Sequence, residues 1–70
     1  MQKFSLKENA YISLCDLLKV MNFCETGGQA KMFISEGAVK VDGQVELRKR
    51  CKIRANSLVE LADKKVKVVI

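Results

Sequence analysis

Apolar and polar positions repeat along this chain with two periods, and the change from one to the other falls at Gly37. Before it, Leu14, Leu17, Leu18 and Met21 recur at i, i+3, i+4 and i+7, the stripe of an amphipathic helix. This helix is expected to begin near Asn9–Ile12 and to end at Asn22. A second stripe, Ala30, Phe33, Ile34 and Gly37, has a sharper start. Thr26-Gly27-Gly28-Gln29 fits a capping box, in which the Thr side chain accepts from the third helical amide while Gln reaches back. Gly37 stands where a left-handed residue would stop the helix. Two such helices joined by about four residues are expected to pack antiparallel.

After Gly37 the period is two. Val39-Lys40-Val41, Asp42-Gly43, and then Val45 and Leu47 predict a β-hairpin. A two-residue loop would set Val39 opposite Glu46 and Val41 opposite Gln44, mixing the faces. A three-residue loop, Val41 to Gly43 with Gly43 left-handed, sets Val39 across from Val45 and keeps an apolar face whole, so the bulged form is expected. Further strands are predicted at Val59–Leu61 and Val66–Ile70, with Val66, Val68 and Ile70 on the buried face. Phe4-Ser5-Leu6 alternates in the same way and is expected to be a short edge strand. The class is α+β.

Seventy residues predict one small domain, 1–70, which buries only about 60% of its unfolded-chain surface. No apolar run exceeds three residues, far short of the roughly 20 that span a bilayer, and the N-terminus has no signal-like stretch. The expectation is a cytoplasmic monomer with no membrane contact. The three cysteines, with no C-x-x-C pair and no His anywhere, argue against a disulfide framework and against a zinc or other metal site. Cys15 and Cys51 are expected to be buried thiols, whereas Cys24 falls in a loop open to exposure. With eight carboxylates scattered singly and no His, general acid–base catalysis lacks its usual groups, so neither an enzyme nor a cofactor is expected.

Charge sharpens this picture. In residues 1–39 four lysines are balanced by four carboxylates, whereas residues 40–54 carry Lys40, Arg48, Lys49, Arg50, Lys52 and Arg54 against Asp42 and Glu46. Nearly all of the formal +5 therefore lies in one short segment. A localised basic patch suits a polyanion, because each cation that neutralises a phosphate releases counterions. The plainer reading is a solvated edge strand whose cations prevent aggregation.

On the second helix, Gly27, Gly28, Lys31 and Ser35 project onto a face separate from the core stripe. Glycines in a first turn cost helix stability, so they call for a reason. They either admit an anion to the free amides of the helix start or allow close contact with a neighbouring strand. Lys31 has no acidic residue at i−4 or i+4 to pair with. The aromatics Phe4, Tyr11, Phe23 and Phe33 do not interleave with the basic run, which favours recognition of RNA shape and backbone over stacking on single strands.

The stretch Thr26-Gly27-Gly28-Gln29-Ala30-Lys31-Met32-Phe33-Ile34 through Gly37-Ala38-Val39-Lys40-Val41-Asp42-Gly43, continued by Arg48-Lys49-Arg50-Cys51-Lys52-Ile53, resembles the αL-motif RNA-binding domain. That domain is named from the fourth protein of the small ribosomal subunit, and the similarity to small stand-alone bacterial members covers nearly the whole chain. The resemblance implies two antiparallel helices followed by a β-hairpin and further strands in a small, mostly antiparallel sheet. It also implies binding of structured RNA, ribosomal or transfer, through the start and exposed face of the second helix and the adjoining hairpin. Here those positions are Thr26, Gly27, Gly28, Lys31, Lys40, Arg48, Lys49, Arg50 and Lys52. Many members carry Arg where Gly27 or Gly28 stands, which moves weight onto Lys31 and Arg48–Arg50. The usual Gly-Asp turn is Asn56-Ser57 here, a change expected to be structural. Relatives fused to pseudouridine synthase or tRNA-ligase domains have catalytic parts absent from these residues. The expected function is non-catalytic RNA binding; the rival is a protein-interaction adaptor that offers the same surface to an acidic partner.

Overall fold

A computed structural model describes residues 1–70. Its elements run β1 (Gln2–Ser5), β2 (Ile12–Ser13), α1 (Leu14–Val20), α2 (Gly27–Ser35), β3 (Val39–Val41), β4 (Gln44–Val45), β5 (Lys52–Ile53), β6 (Leu58–Leu61) and β7 (Lys64–Val69). Five strands make one sheet in the order β1-β7-β6-β3-β4, antiparallel except that β1 runs parallel to β7 on the edge. β2 and β5 form a separate antiparallel pair. The two helices pack on each other. Their stripe residues Leu14, Leu17, Leu18, Ala30 and Ile34 join Val39, Val59, Leu61, Val66 and Val68 of the sheet in one apolar cluster. This is the expected α+β architecture.

α1 is shorter than its stripe suggests. Asn9–Ile12 does not join it, because Ile12 and Ser13 pair with Ile53 and Lys52 instead. The amides of Leu14 and Cys15 donate to the carbonyls of Cys51 (2.9 Å) and Lys49 (3.1 Å). A distant segment thus supplies the acceptors that a longer helix would have provided one turn earlier. The hydroxyl of Ser13 makes no capping bond to a helix amide and instead donates to Asp16 Oδ2 at 2.7 Å.

α2 begins as its capping box predicts. Thr26 Oγ1 accepts from the Gln29 amide at 3.1 Å, and Gln29 Oε1 reaches back to the Glu25 amide at 2.7 Å, one residue before the N-cap. It ends at Gly37, whose φ of +78° lets the amides of Gly37 and Ala38 turn back to the carbonyls of Ile34 and Phe33.

The hairpin departs from the bulged form. Val41 faces Gln44 and Lys40 faces Val45, so Asp42-Gly43 is a two-residue loop with both φ values positive. The bulged register assumed that Val45 needs a core face. Instead β4 is a short exposed edge, so there is no apolar face to keep whole. Asp42 tolerates the left-handed conformation and is tied to β6, its amide donating to the Leu58 carbonyl and its Oδ1 accepting from the Leu58 amide.

Three further expectations need correction. Ile70 lies beyond β7 and is exposed, although Val66 and Val68 are fully buried. Cys24 is buried at 5% exposure, whereas Cys51 is only half-buried. The loop carrying Cys24 packs into the cluster beside Phe23, so a position outside a helix does not make it open. Asn56 does have a structural role: it adopts φ +76°, and its carbonyl accepts from Lys67 Nζ at 2.8 Å. No helix is long and apolar enough to cross a membrane.

Candidate nucleic-acid interface

The basic run is neither strand nor flexible tail. The Cys51 amide donates to the Arg48 carbonyl at 3.2 Å, closing a four-residue turn with Lys49 and Arg50 at its corners. The same turn holds the start of α1 through the carbonyls of Lys49 and Cys51. Its backbone is therefore fixed from inside, which leaves the Lys49 and Arg50 side chains exposed and without an ion pair.

Arg48 differs from its neighbours. Its Nε and Nη2 donate to the two oxygens of Glu46 at 2.9 and 3.0 Å, and its amide donates to Glu46 Oε2 at 3.0 Å. The bidentate fork holds the Glu46 carboxyl down to about 2 and raises the guanidinium above its ordinary value. Burial, and then the Glu46 charge, push the Cys51 thiol up. The Arg48 charge is thus partly offset by Glu46 within the chain, and the run offers fewer unpaired cations than its sequence suggests.

The β2–β5 ladder adds residues outside the predicted set. Ile12 and Ile53 pair, with Ile53 in the core, so Tyr11, Ser13, Lys52 and Arg54 project on the opposite side. Lys52 Nζ lies 5.0 Å from the Tyr11 ring centroid and the Arg54 guanidinium carbon 5.7 Å, both within cation–π range. Tyr11 remains 43% exposed. An aromatic therefore does stand among the cations, contrary to the reading from the sequence. The alternation of Tyr11-Ile12-Ser13 and Lys52-Ile53-Arg54 carries this signal, but a helix start near Asn9–Ile12 masks it.

At the helix start, a Cβ on Gly27 would meet nothing within 4 Å, and one on Gly28 only Thr26 Oγ1 at 3.9 Å. Close packing against a strand therefore does not explain these glycines. Lys31 is exposed on the same helix and makes no ion pair. Lys40 is exposed on β3, between Val45 and Glu60 across the sheet.

The predicted residues do not form one cluster. Gly37, at the far end of α2, lies where a Cβ would be 4.0 Å from Leu47 Cδ2, so the segment leading into Arg48 is anchored at that end. At a 1.5 Å rise per residue, Gly27 stands roughly 15 Å from it. The exposed donors fall into two groups, the helix start with Lys31 and the basic turn with Lys52. No group of three or more His, Cys, Asp or Glu side chains is arranged to hold a metal ion.

Comparison with known proteins agrees with this architecture. A model of the S4 domain family matches residues 4–69. The chain belongs to the S4 domain family. Among S4 domain relatives, YbcJ of Escherichia coli (strain K12) is 54% identical over 69 residues, covering 99% of each chain. An uncharacterized YbcJ of Shigella flexneri is identical to the same extent, with the same coverage. The solution structure of YbcJ from E. coli, described as revealing an αL motif involved in RNA-binding, superposes with a TM-score of 0.78. It is 53% identical, and the match covers all of this chain and 89% of that one.

Proposed function

We propose that this S4 domain chain is a non-catalytic RNA-binding protein that grips the phosphates of structured RNA, ribosomal or transfer. The observation that carries the reading is the turn at 48–51, whose backbone is locked to α1 while Lys49 and Arg50 point outward unpaired. Cations on a fixed backbone give up only side-chain freedom when they bind phosphate. Lys52 extends this anchor. Lys31 and the open amides at Gly27 and Gly28 form the second, in a helix turn that Thr26 caps by accepting from the Gln29 amide. Lys40 adds charge from β3. Two separate anchors, one at the start of α2 and one carried by the segment that packs at its far end, suit phosphates on either side of an RNA groove or junction better than a single extended strand. The kinship with YbcJ, described as RNA-binding, supports the same reading.

The test is fluorescence anisotropy with a labelled ribosomal RNA hairpin over a range of salt. Five cations free of ion pairs (Lys31, Lys40, Lys49, Arg50 and Lys52) predict a slope of log affinity against log salt of about −4. Tighter binding to polyglutamate than to the hairpin would favour the adaptor instead.

A further inference from the structure

We infer that Tyr11 is a stacking platform for one unpaired nucleobase, a site that rests on the RNA-binding reading above and gives it a further specificity. Tyr11 projects from the outer side of the β2–β5 ladder with Lys52 and Arg54 over its ring, and it is 43% exposed. An exposed aromatic ring flanked by two cations on a hydrogen-bonded ladder has the parts that hold a base in single-stranded binders: a π face, and positive charge for the attached phosphate.

The surface beside the ring is shaped for more than a phosphate. An open depression of about 470 Å³ is lined by Asn9, Tyr11, Ser13, Asp16 and Arg50, among others. Asp16 Oδ2 accepts from Ser13 Oγ, whereas Oδ1 has no partner within the protein. A carboxylate repels phosphate but accepts from an N–H group, and every nucleobase carries at least one N–H donor on its pairing edge. Such a depression favours a base over a phosphate, with Arg50 at its rim to take the phosphate that follows. In a paired stem those donors are already used and the ring faces are stacked, so only an unpaired base can enter.

This chain has one tyrosine and no tryptophan, which gives a direct readout. Two RNA hairpins that differ only by a single bulged adenosine in the stem are titrated into protein labelled with 3-fluorotyrosine. The bulged hairpin is expected to bind on the order of tenfold more tightly. It should shift the single fluorine resonance well beyond the small change that phosphate binding at Lys52 produces with the continuous stem. Tyr11→Phe should keep the bulge preference and Tyr11→Leu should abolish it. Equal affinity for the two hairpins with equal fluorine shifts would overturn this site and leave the RNA-binding reading intact. So would a Tyr11→Leu protein that retains the preference. Failure of both hairpins to bind at low salt would overturn both.

Discussion

The start of α2 and the segment 46–54 reach a similar surface chemistry by opposite routes. The helix start has one lysine and two glycines, and its donors are the backbone amides of a first turn whose neighbouring Glu25 and Gln29 amides are capped by the Gln29 and Thr26 side chains. The segment 46–54 is crowded with Lys and Arg side chains but spends part of that charge internally, since Glu46 engages Arg48 through both carboxylate oxygens. Formal charge thus overstates one region and understates the other. What counts for a polyanion is the number of donors with no partner on a backbone that is already fixed.

The largest expected effect comes from reversing the free cations of the turn. Lys49→Glu with Arg50→Glu should lower hairpin affinity on the order of a hundredfold at physiological salt, by converting attraction to repulsion. The melting temperature should hardly move, because both side chains are exposed and unpaired. Gly27→Glu comes next. It adds no clash and sets a carboxylate in the first turn of a helix, so thermal stability should be unchanged or slightly raised while RNA affinity falls about tenfold. A variant that unfolds would show that this glycine serves the fold, and the likeness between the two regions would break.

A smaller effect sharpens the contrast within the turn. Arg50→Ala should weaken binding about fivefold, and Arg48→Ala clearly less, because the Arg48 charge is already met by Glu46. Equal losses would mean that RNA displaces the Glu46 carboxylate. Lys31→Ala should cost less than about 0.5 kcal/mol of stability and reduce the salt slope by about 1. The smallest effect is on pH dependence. The folded Glu46 carboxyl titrates at about 2 against an ordinary 4.5, so its contribution to stability is complete above 4.5 and is lost as the pH falls towards 2. Melting curves from pH 5 down to 2 should show a steeper loss for the native chain than for Glu46→Gln.

Local signals carried most of the fold. The α2 cap, the stop at Gly37 and the alternation of Val66 and Val68 depend on neighbours within a few residues, and each appears where the pattern places it. The errors arose where a distant partner decides. Ile12 and Ser13 leave the helix because β5, some forty positions on, offers a better set of acceptors. The hairpin closes on two residues because Asp42 is tied to Leu58, a contact that the hairpin sequence alone does not contain. The same long-range pairing explains the partial view of the interface. The basic run was visible, but the partnering of Arg48 and the arrival of Tyr11 beside Lys52 depend on how the chain returns on itself.

The central claim is that two separated anchors engage one RNA. Amide chemical shifts of the nitrogen-labelled protein, followed while a structured ribosomal RNA hairpin is added, test it most directly. The account predicts that the amides of Gly27, Gly28 and Lys31 and those of Lys49, Arg50 and Lys52 move together along one saturation curve. Shifts confined to one of these anchors, or to the opposite edge of the sheet at β1, would contradict it.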